Sequence, residues 1–351
     1  MEEHKDLLGM LDLMVRPAFC VKQNHIIKVN QAAESYFLSA GMAVDSLLIT
    51  GQEEYPEYTG GCLYLSLSVG GKVLGASVTR MQDVDIFMIE QESDRTELQA
   101  LALAARELRS PLSTVMATAG TLFPQEDAPD SVAQMNRSLF QMLRILGNMA
   151  DADRYTVSSR QETVCVNSEL KEIFQKAESM IAQAGIHMTY SLLDHNIYCL
   201  ADKEQLERAV LNILSNAVKF TPAGGTVEAA VTCRGRMLRL SIQDSGSGIE
   251  ESVRSNVFHR YLRKLTIEDS RRGIGLGMAL IRSVATHHGG TVLIDQPAGK
   301  GTRITMTMAI RQNPDSVLRS PMTRIDYAGG YDHMLLELSD SLPACVYKKE
   351  I

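Results

Sequence analysis

The chain has 351 residues, 45% of them apolar and 22% charged, and a formal net charge of -7. This length accommodates two or three cores, the apolar share rules out disorder along the whole chain, and the acidic balance argues against nucleic acid as a bulk partner. No run approaches the roughly eighteen apolar residues of a membrane span, and the acidic N-terminus MEEHKDLLGMLDLM lacks a signal peptide's basic start, so a cytoplasmic protein is expected.

In chain order, PAFCVKQNHIIKVN gives two short strands around Gln23 and Asn24, and QAAESYFLSA has helical character. CLYLSLSVGGKVLGASVTRM alternates Leu63, Leu65, Leu67 and Val69 before Gly70-Gly71, a hairpin signal, and DVDIFMIEQE adds a strand. This order over residues 1–92 resembles a PAS sensor domain. From Ser93 the period changes. Asp94 and Glu97 fit a capping box, and Leu98, Leu101, Ala105, Leu108, Leu112, Val115, Ala119 and Leu122 follow at alternating spacings of three and four. After FPQEDAPD, the residues Val132, Met135, Leu139, Met142, Leu146 and Met149 repeat that spacing. A short loop makes the two helices antiparallel, and a stripe that one hairpin cannot bury predicts a homodimeric four-helix bundle. The alternative is a hairpin docked on its own neighbouring domains.

Residues 158–311 alternate amphipathic helices, SELKEIFQKAESMIAQAGI and DKEQLERAVLNILSNAVKF, with the strands TVEAAVTC, MLRLSIQD, GTVLIDQ and RITMTMAI. In the last strand Ile304, Met306, Met308 and Ile310 share a face, as a sheet covered on one side by helices requires. The tail, 312–351, contains a helical stretch, DHMLLELSDSL, ahead of Pro343 and has no assigned role. The six cysteines form no CxxC pair and read as buried thiols.

Three motifs carry candidate chemistry. Asn212, Asn216 and Lys219 lie at i, i+4 and i+7 of one helix, where carboxamide oxygens suit a hard metal and the ammonium suits phosphate; alone, such a row is more often a solvated face. In LRLSIQDSGSGI, Asp244 is in phase with the buried Leu238, Leu240 and Ile242. A carboxylate facing inward needs a donor, such as an adenine amine, and Gly246 and Gly248 admit a close ligand; the alternative is an ordinary Asp-Gly turn. In RRGIGLGMALIRSVATHHGG, Gly273, Gly275 and Gly277 feed a helix N-terminus that points N–H groups at an anion, a weak pattern alone. His287 and His288 read as helix-end residues.

In this order and spacing, the three resemble the asparagine box and two glycine boxes of the Bergerat-type ATP-binding fold shared by sensor histidine kinases, gyrase and heat-shock chaperones. The resemblance implies that Asn216 holds magnesium with help from Asn212, that Lys219 meets phosphate, that Asp244 binds the adenine amine, and that Gly275 and Gly277 lie by the triphosphate. It also matches VFHRYLRKLTIEDSRR to the kinase phenylalanine box at Phe258 and a basic lid that includes Arg263. Within that superfamily the histidine kinases fit best, because ARELRSPLS in the hairpin resembles the Ser-His-Glu-Leu-Arg-Thr-Pro-Leu phosphoacceptor box. The expected fold class is a multidomain α+β chain. It comprises a PAS-like α/β unit at 1–92, an antiparallel helical hairpin at 93–157, a Bergerat-type α/β sandwich at 158–311 and the tail.

The match departs at the acceptor. Arg106 occupies the histidine position, and a guanidinium, protonated below a pH of about 12, has no lone pair with which to attack phosphorus. No histidine lies between His25 and His187 to replace it. The surroundings persist: Glu107 aligns with the acid/base helper, Ser110 with the position implicated in dephosphorylating a response regulator, and Pro111 with the bend near the acceptor. The sequence therefore reads as a Mg-ATP-binding, histidine-kinase-like dimer that pairs with a response regulator or partner kinase and has lost the usual self-phosphorylation. Two alternatives stand beside it: an active phosphotransferase or regulator phosphatase of a two-component system, and a non-enzymatic scaffold.

Overall fold

A computed structural model of the chain describes residues 9–90, 94–122, 130–151, 161–249, 258, 277–297, 301–311, 328 and 330–348; side chains are described for these except at 94–101, 106, 120–122 and 151. The first hairpin joins β1 (Ala18–Lys22) to β2 (His25–Val29). Gln23 and Asn24 make its turn in the left-handed region, at φ of 49° and 66°, as a two-residue turn requires. Helix α1 (Gln31–Glu34) is shorter than the expected helical stretch. Strands β3 (Cys62–Val69) and β4 (Lys72–Met81) flank the Gly70-Gly71 turn, and β5 (Val84–Ile89) follows.

Two long helices come next, α2 (Asp94–Leu122) and α3 (Asp130–Asp151), which pack against each other. Helix α2 continues through Pro111. The expected seam divides. Ala105, Leu112, Ala119, Leu139 and Leu146 are buried in one core cluster, whereas Leu108, Val115 and Met142 are about half exposed. A two-helix unit buries one edge of such a stripe against its partner and leaves the other edge open.

The remaining elements are β6 (Glu162–Cys165), α4 (Val166–Ala182), β7 (His187–Ser191), β8 (Tyr198–Ala201), α5 (Lys203–Phe220), β9 (Thr226–Arg234), β10 (Met237–Asp244), α6 (Gly277–His287), β11 (Val292–Asp295), β12 (Arg303–Ala309) and α7 (His333–Glu337). Strand β7 runs parallel to β9, a pairing the sequence pattern did not suggest, and β6 pairs with β8 in a separate small sheet. The main sheet has the order β2-β1-β5-β4-β3-β11-β12-β10-β9-β7. Its join is the antiparallel pairing of β3 with β11, Tyr64 opposite Val292 and Cys62 opposite Ile294, so two units expected to be separate share one sheet.

That join explains a second difference. Thr305 and Thr307 are buried along with Ile304, Met306 and Met308, so β12 is covered on both faces rather than one. The second cover is the segment before β3, where Glu54 accepts a hydrogen bond from Thr307 Oγ1 at 2.9 Å. Cys20, Cys62 and Cys199 are buried as expected, while Cys345 is exposed. Among the described residues no helix is long and apolar enough to cross a membrane.

Candidate functional site

Helix α5 begins where Asp202 caps it, accepting from the Gln205 N–H at 3.1 Å. Its apolar positions Leu206, Val210, Ile213 and Ala217 bury one face. Asn212 is also fully buried. Its Nδ2 donates to the Arg208 carbonyl at 2.9 Å and to Glu337 Oε2 at 3.1 Å, and its Oδ1 accepts from Arg144 Nη2 at 3.3 Å. Glu337, at the end of α7, also accepts from Arg144 Nε at 3.1 Å and Arg208 Nε at 3.4 Å. Three residues on, Asp340 accepts from Arg144 Nη1 at 2.7 Å and lies 3.8 Å from Lys219 Nζ. Asn216 is half-buried on the same helix.

A second cluster forms where β10 ends. The strand buries alternate residues, Leu238, Leu240, Ile242 and then Asp244, which turns a carboxylate inward. Its Oδ1 accepts from the N–H groups of Gly246 at 2.8 Å and Thr302 at 3.1 Å. Burial pushes the Asp244 carboxyl above the usual carboxylate range, against the pull of those two N–H groups. Among the described residues no donor reaches its Oδ2. Gly246 is obligatory there, because a Cβ would strike the Phe220 carbonyl at the end of α5 and crowd Asp244 Oδ1 at 2.9 Å. The loop after β10 is thereby seated on the helix that carries Asn212 and Asn216. Gly277, the first residue of α6, closes the arrangement from the other side: a Cβ there would lie 2.8 Å from Asn212 Oδ1.

The structure thus brings Asn212, Lys219 and Gly277 into one region, with Asp244 and Gly246 at the far end of α5. Gly248 follows in the same loop at φ 78°. Gly273, Gly275, Arg263 and the Arg106 side chain lie outside the described residues. Phe258 is buried, with its ring 5.5 Å from that of Tyr64 on β3 and its carbonyl accepting from Arg282 Nη1 at 2.9 Å. Glu107 and Ser110 are exposed on α2. His288 is a buried structural group, its Nε2 accepting from the Asp202 N–H at 3.1 Å, and burial lowers its pKa.

Arg144, Arg208, Glu337 and Asp340 were not singled out by the sequence. Arg208 lies one helical turn before Asn212 and held a readable hint, being an arginine within an apolar stretch; the others come together only through contacts across the chain.

Residues 201–312 match the family described as histidine kinase-, DNA gyrase B- and HSP90-like ATPase. The sensor histidine kinase RppB of Synechocystis is 27% identical over 233 residues, 64% of this chain and 51% of that protein. The adaptive-response sensory kinase SasA of Gloeothece citriformis is 24% identical over 257 residues, 67% of this chain and 64% of that protein. The sensor histidine kinase WalK of Bacillus subtilis is 25% identical, covering 64% of this chain and 39% of its own. The chain therefore spans less than two thirds of the length of these relatives. Among solved structures, full-length ShkA in complex with AMPPNP aligns with a TM-score of 0.51 and 23% identity, covering 62% of this chain and 47% of that one, and so shares the fold. The chain carries a histidine-kinase-type ATPase domain, and its relatives are sensor histidine kinases.

Proposed function

We propose that this chain is a sensor-histidine-kinase-like signalling protein that binds Mg-ATP and has lost the usual self-phosphorylation, because Arg106 stands where the family presents its acceptor histidine. The observation that carries the nucleotide reading is the Asp244 carboxylate: inward-facing, anchored through Oδ1 by two backbone N–H groups, and left with Oδ2 for an exocyclic amine. An amine donor in that position satisfies the second oxygen of a buried carboxylate. Asn216 would hold magnesium, which when bound offsets phosphate charge, and Lys219 would meet the phosphates. The residues fit this ligand unevenly. Asp244 and its loop are ready, whereas Asn212 and Lys219 already face the carboxylates of Glu337 and Asp340.

Residues 1–92 serve in this reading as a PAS-like input unit, a role supported by the order β2-β1-β5-β4-β3 of its own strands. The helices at 93–157 form the dimerisation hairpin, supported by the open apolar edge of Leu108, Val115 and Met142, which a second copy would cover. Glu107 and Ser110 are exposed for a response regulator or partner kinase.

Calorimetric titration with Mg-ATP tests the nucleotide reading, with Asn216→Ala as the control expected to lose magnesium-dependent binding. Labelling with γ-labelled ATP tests the acceptor: the natural chain stays unlabelled and Arg106→His gains an acid-labile label. A label on the natural chain that vanishes with a Ser or Thr substitution means an active phosphotransferase instead. One observation favours a second reading, a non-enzymatic scaffold: the hydrogen bonds that already engage Asn212. Absence of Mg-ATP binding by the folded natural chain would establish it.

A further inference from the structure

We infer that the C-terminal segment 330–348 is a plug on the phosphate end of the nucleotide cleft, with Glu337 and Asp340 standing where nucleotide phosphates would be neutralised; this rests on the Mg-ATP reading above. The segment is built to dock. Asp332 caps α7, its Oδ1 accepting from the N–H groups of Met334 at 2.8 Å and Leu335 at 3.0 Å. Met334, Leu335, Leu338, Leu342 and Tyr347 are all buried, and Phe140 of α3 meets the Tyr347 ring at 5.3 Å. Apolar burial holds the segment in place and leaves its two carboxylates to be aimed.

They are aimed at cations. Glu337 is 1% exposed and bonds to Arg144 and Arg208, whose side chains are 9% and 2% exposed; Asp340 bonds to Arg144 and faces Lys219. Guanidinium, ammonium and carboxamide groups converging in one buried region form a polyanion site, because buried cations require anionic partners. Two carboxylates can meet that requirement, and so can a polyphosphate. Both cannot do so on the same Asn212 and Lys219, so plug and phosphates compete.

The plug also has a second grip. Arg137 of α3 donates to the carbonyls of Ser339 at 3.0 Å and Asp340 at 3.1 Å, Gln141 to that of Ser339 at 3.1 Å, and Asn136 to that of Tyr347 at 2.9 Å. On the other side Ser341 Oγ donates to the Ser215 carbonyl of α5 at 2.9 Å. The segment therefore ties α3 to α5. Displacing it opens the phosphate end and removes in the same step one set of ties between α5 and the hairpin, the direct bonds of Arg144 to Asn212 and of Arg208 to Asn148 being the other, which couples nucleotide occupancy to how firmly the hairpin holds the ATPase unit.

The asymmetry of the cleft supplies the test. The plug touches the Asn212 end and leaves Asp244 alone, so competition should grow with the number of phosphates. Adenosine, Mg-ADP and Mg-ATP are titrated into the full natural chain and into Asp340→Asn, chosen because Asp340 is less buried than Glu337. The expected result is Mg-ATP bound about tenfold more tightly by the variant, Mg-ADP by less, and adenosine within about twofold. Arg137→Leu, which loosens the plug without touching either carboxylate, shifts Mg-ATP the same way. In the natural chain, saturating Mg-ATP speeds amide exchange at Leu336 and Leu338, whose N–H groups are bonded within the segment. Equal Mg-ATP affinity in natural and variant chains, or equal tightening of adenosine and Mg-ATP, overturns the plug and leaves the nucleotide reading standing. No binding of any of the three by the folded proteins overturns the nucleotide reading itself, and the plug with it.

Discussion

The two ends of the proposed nucleotide cleft are built by different means. At the Asp244 end the partners are backbone groups of Gly246 and Thr302, fixed once β10 and its loop have formed. At the Asn212 end the partners, apart from the Arg208 carbonyl, are long side chains from α3, α5 and α7, gathered from positions as far apart as Arg144 and Glu337. An end made of backbone is pre-organised and has little freedom left to lose when a ligand arrives. An end made of side chains is held by charges that another set of charges can replace.

If that contrast is sound, the largest loss of stability comes from the side-chain end. Glu337→Ala leaves the guanidinium groups of Arg144 and Arg208 buried without it, and removing one partner of a buried ion pair costs about 3–5 kcal/mol. Urea denaturation checks this. A loss near 1 kcal/mol would mean that water already neutralises the cluster, and the contrast would dissolve.

Gly246→Ala attacks the backbone end. The added methyl meets the Phe220 carbonyl, main chain that can move only by shifting α5 or the loop, so about 1–3 kcal/mol is lost. The same variant should weaken adenosine, which Glu337→Ala should not.

Asp244→Asn has a smaller effect whose size depends on pH. Because burial raises the Asp244 carboxyl above its unfolded value, its contribution to stability is fully present below the unfolded value and is lost as pH rises through the folded one. Above its unfolded value the Asp244 carboxyl is therefore a cost to the folded chain. The Asn variant, which keeps an oxygen for Gly246 and Thr302, should equal the natural chain at acid pH and match or exceed it at neutral pH. Nucleotide affinity should fall by about tenfold or more with the loss of a charge-assisted hydrogen bond. Chemical denaturation at several pH values and adenosine titration separate the two effects.

The same contrast governs how much of the molecule could be read from sequence. The alternation Leu238, Leu240, Ile242 and Asp244 announces an inward carboxylate, and the glycines after it announce a tight loop, because both signals are local. The turns at Gln23-Asn24 and Gly70-Gly71 were legible for the same reason. What sequence reasoning could not place was non-local: the β3–β11 pairing that joins two sheets, and the tail packed between α3 and α5. Glu337 and Asp340 in HMLLELSDSL look like the polar positions of a short amphipathic helix. Only the arginines of distant helices turn them into the counter-charges of a site. The split seam of α2 and α3 belongs here too, since the heptad spacing marks Leu108 and Leu112 alike, yet the fold buries only Leu112.

The finest probe of the contrast is the pair Lys219 and Asp340. At 3.8 Å, with Arg144 already 2.7 Å from the same carboxylate, this contact contributes least to the side-chain end. Lys219→Met should therefore cost less than Glu337→Ala in the nucleotide-free chain, because Arg144 continues to neutralise Asp340. A double-mutant cycle of Lys219→Met with Asp340→Asn isolates the coupling, which should be small in stability. Measured on Mg-ATP affinity, the cycle should look different. Asp340→Asn tightens binding only while Lys219 is present to be released to the phosphates, so its gain should shrink in the Lys219→Met background. A gain unchanged by the lysine would mean that Asp340 holds the tail through Arg144 alone, and that what the tail withholds from phosphate lies at Arg144 and Asn212.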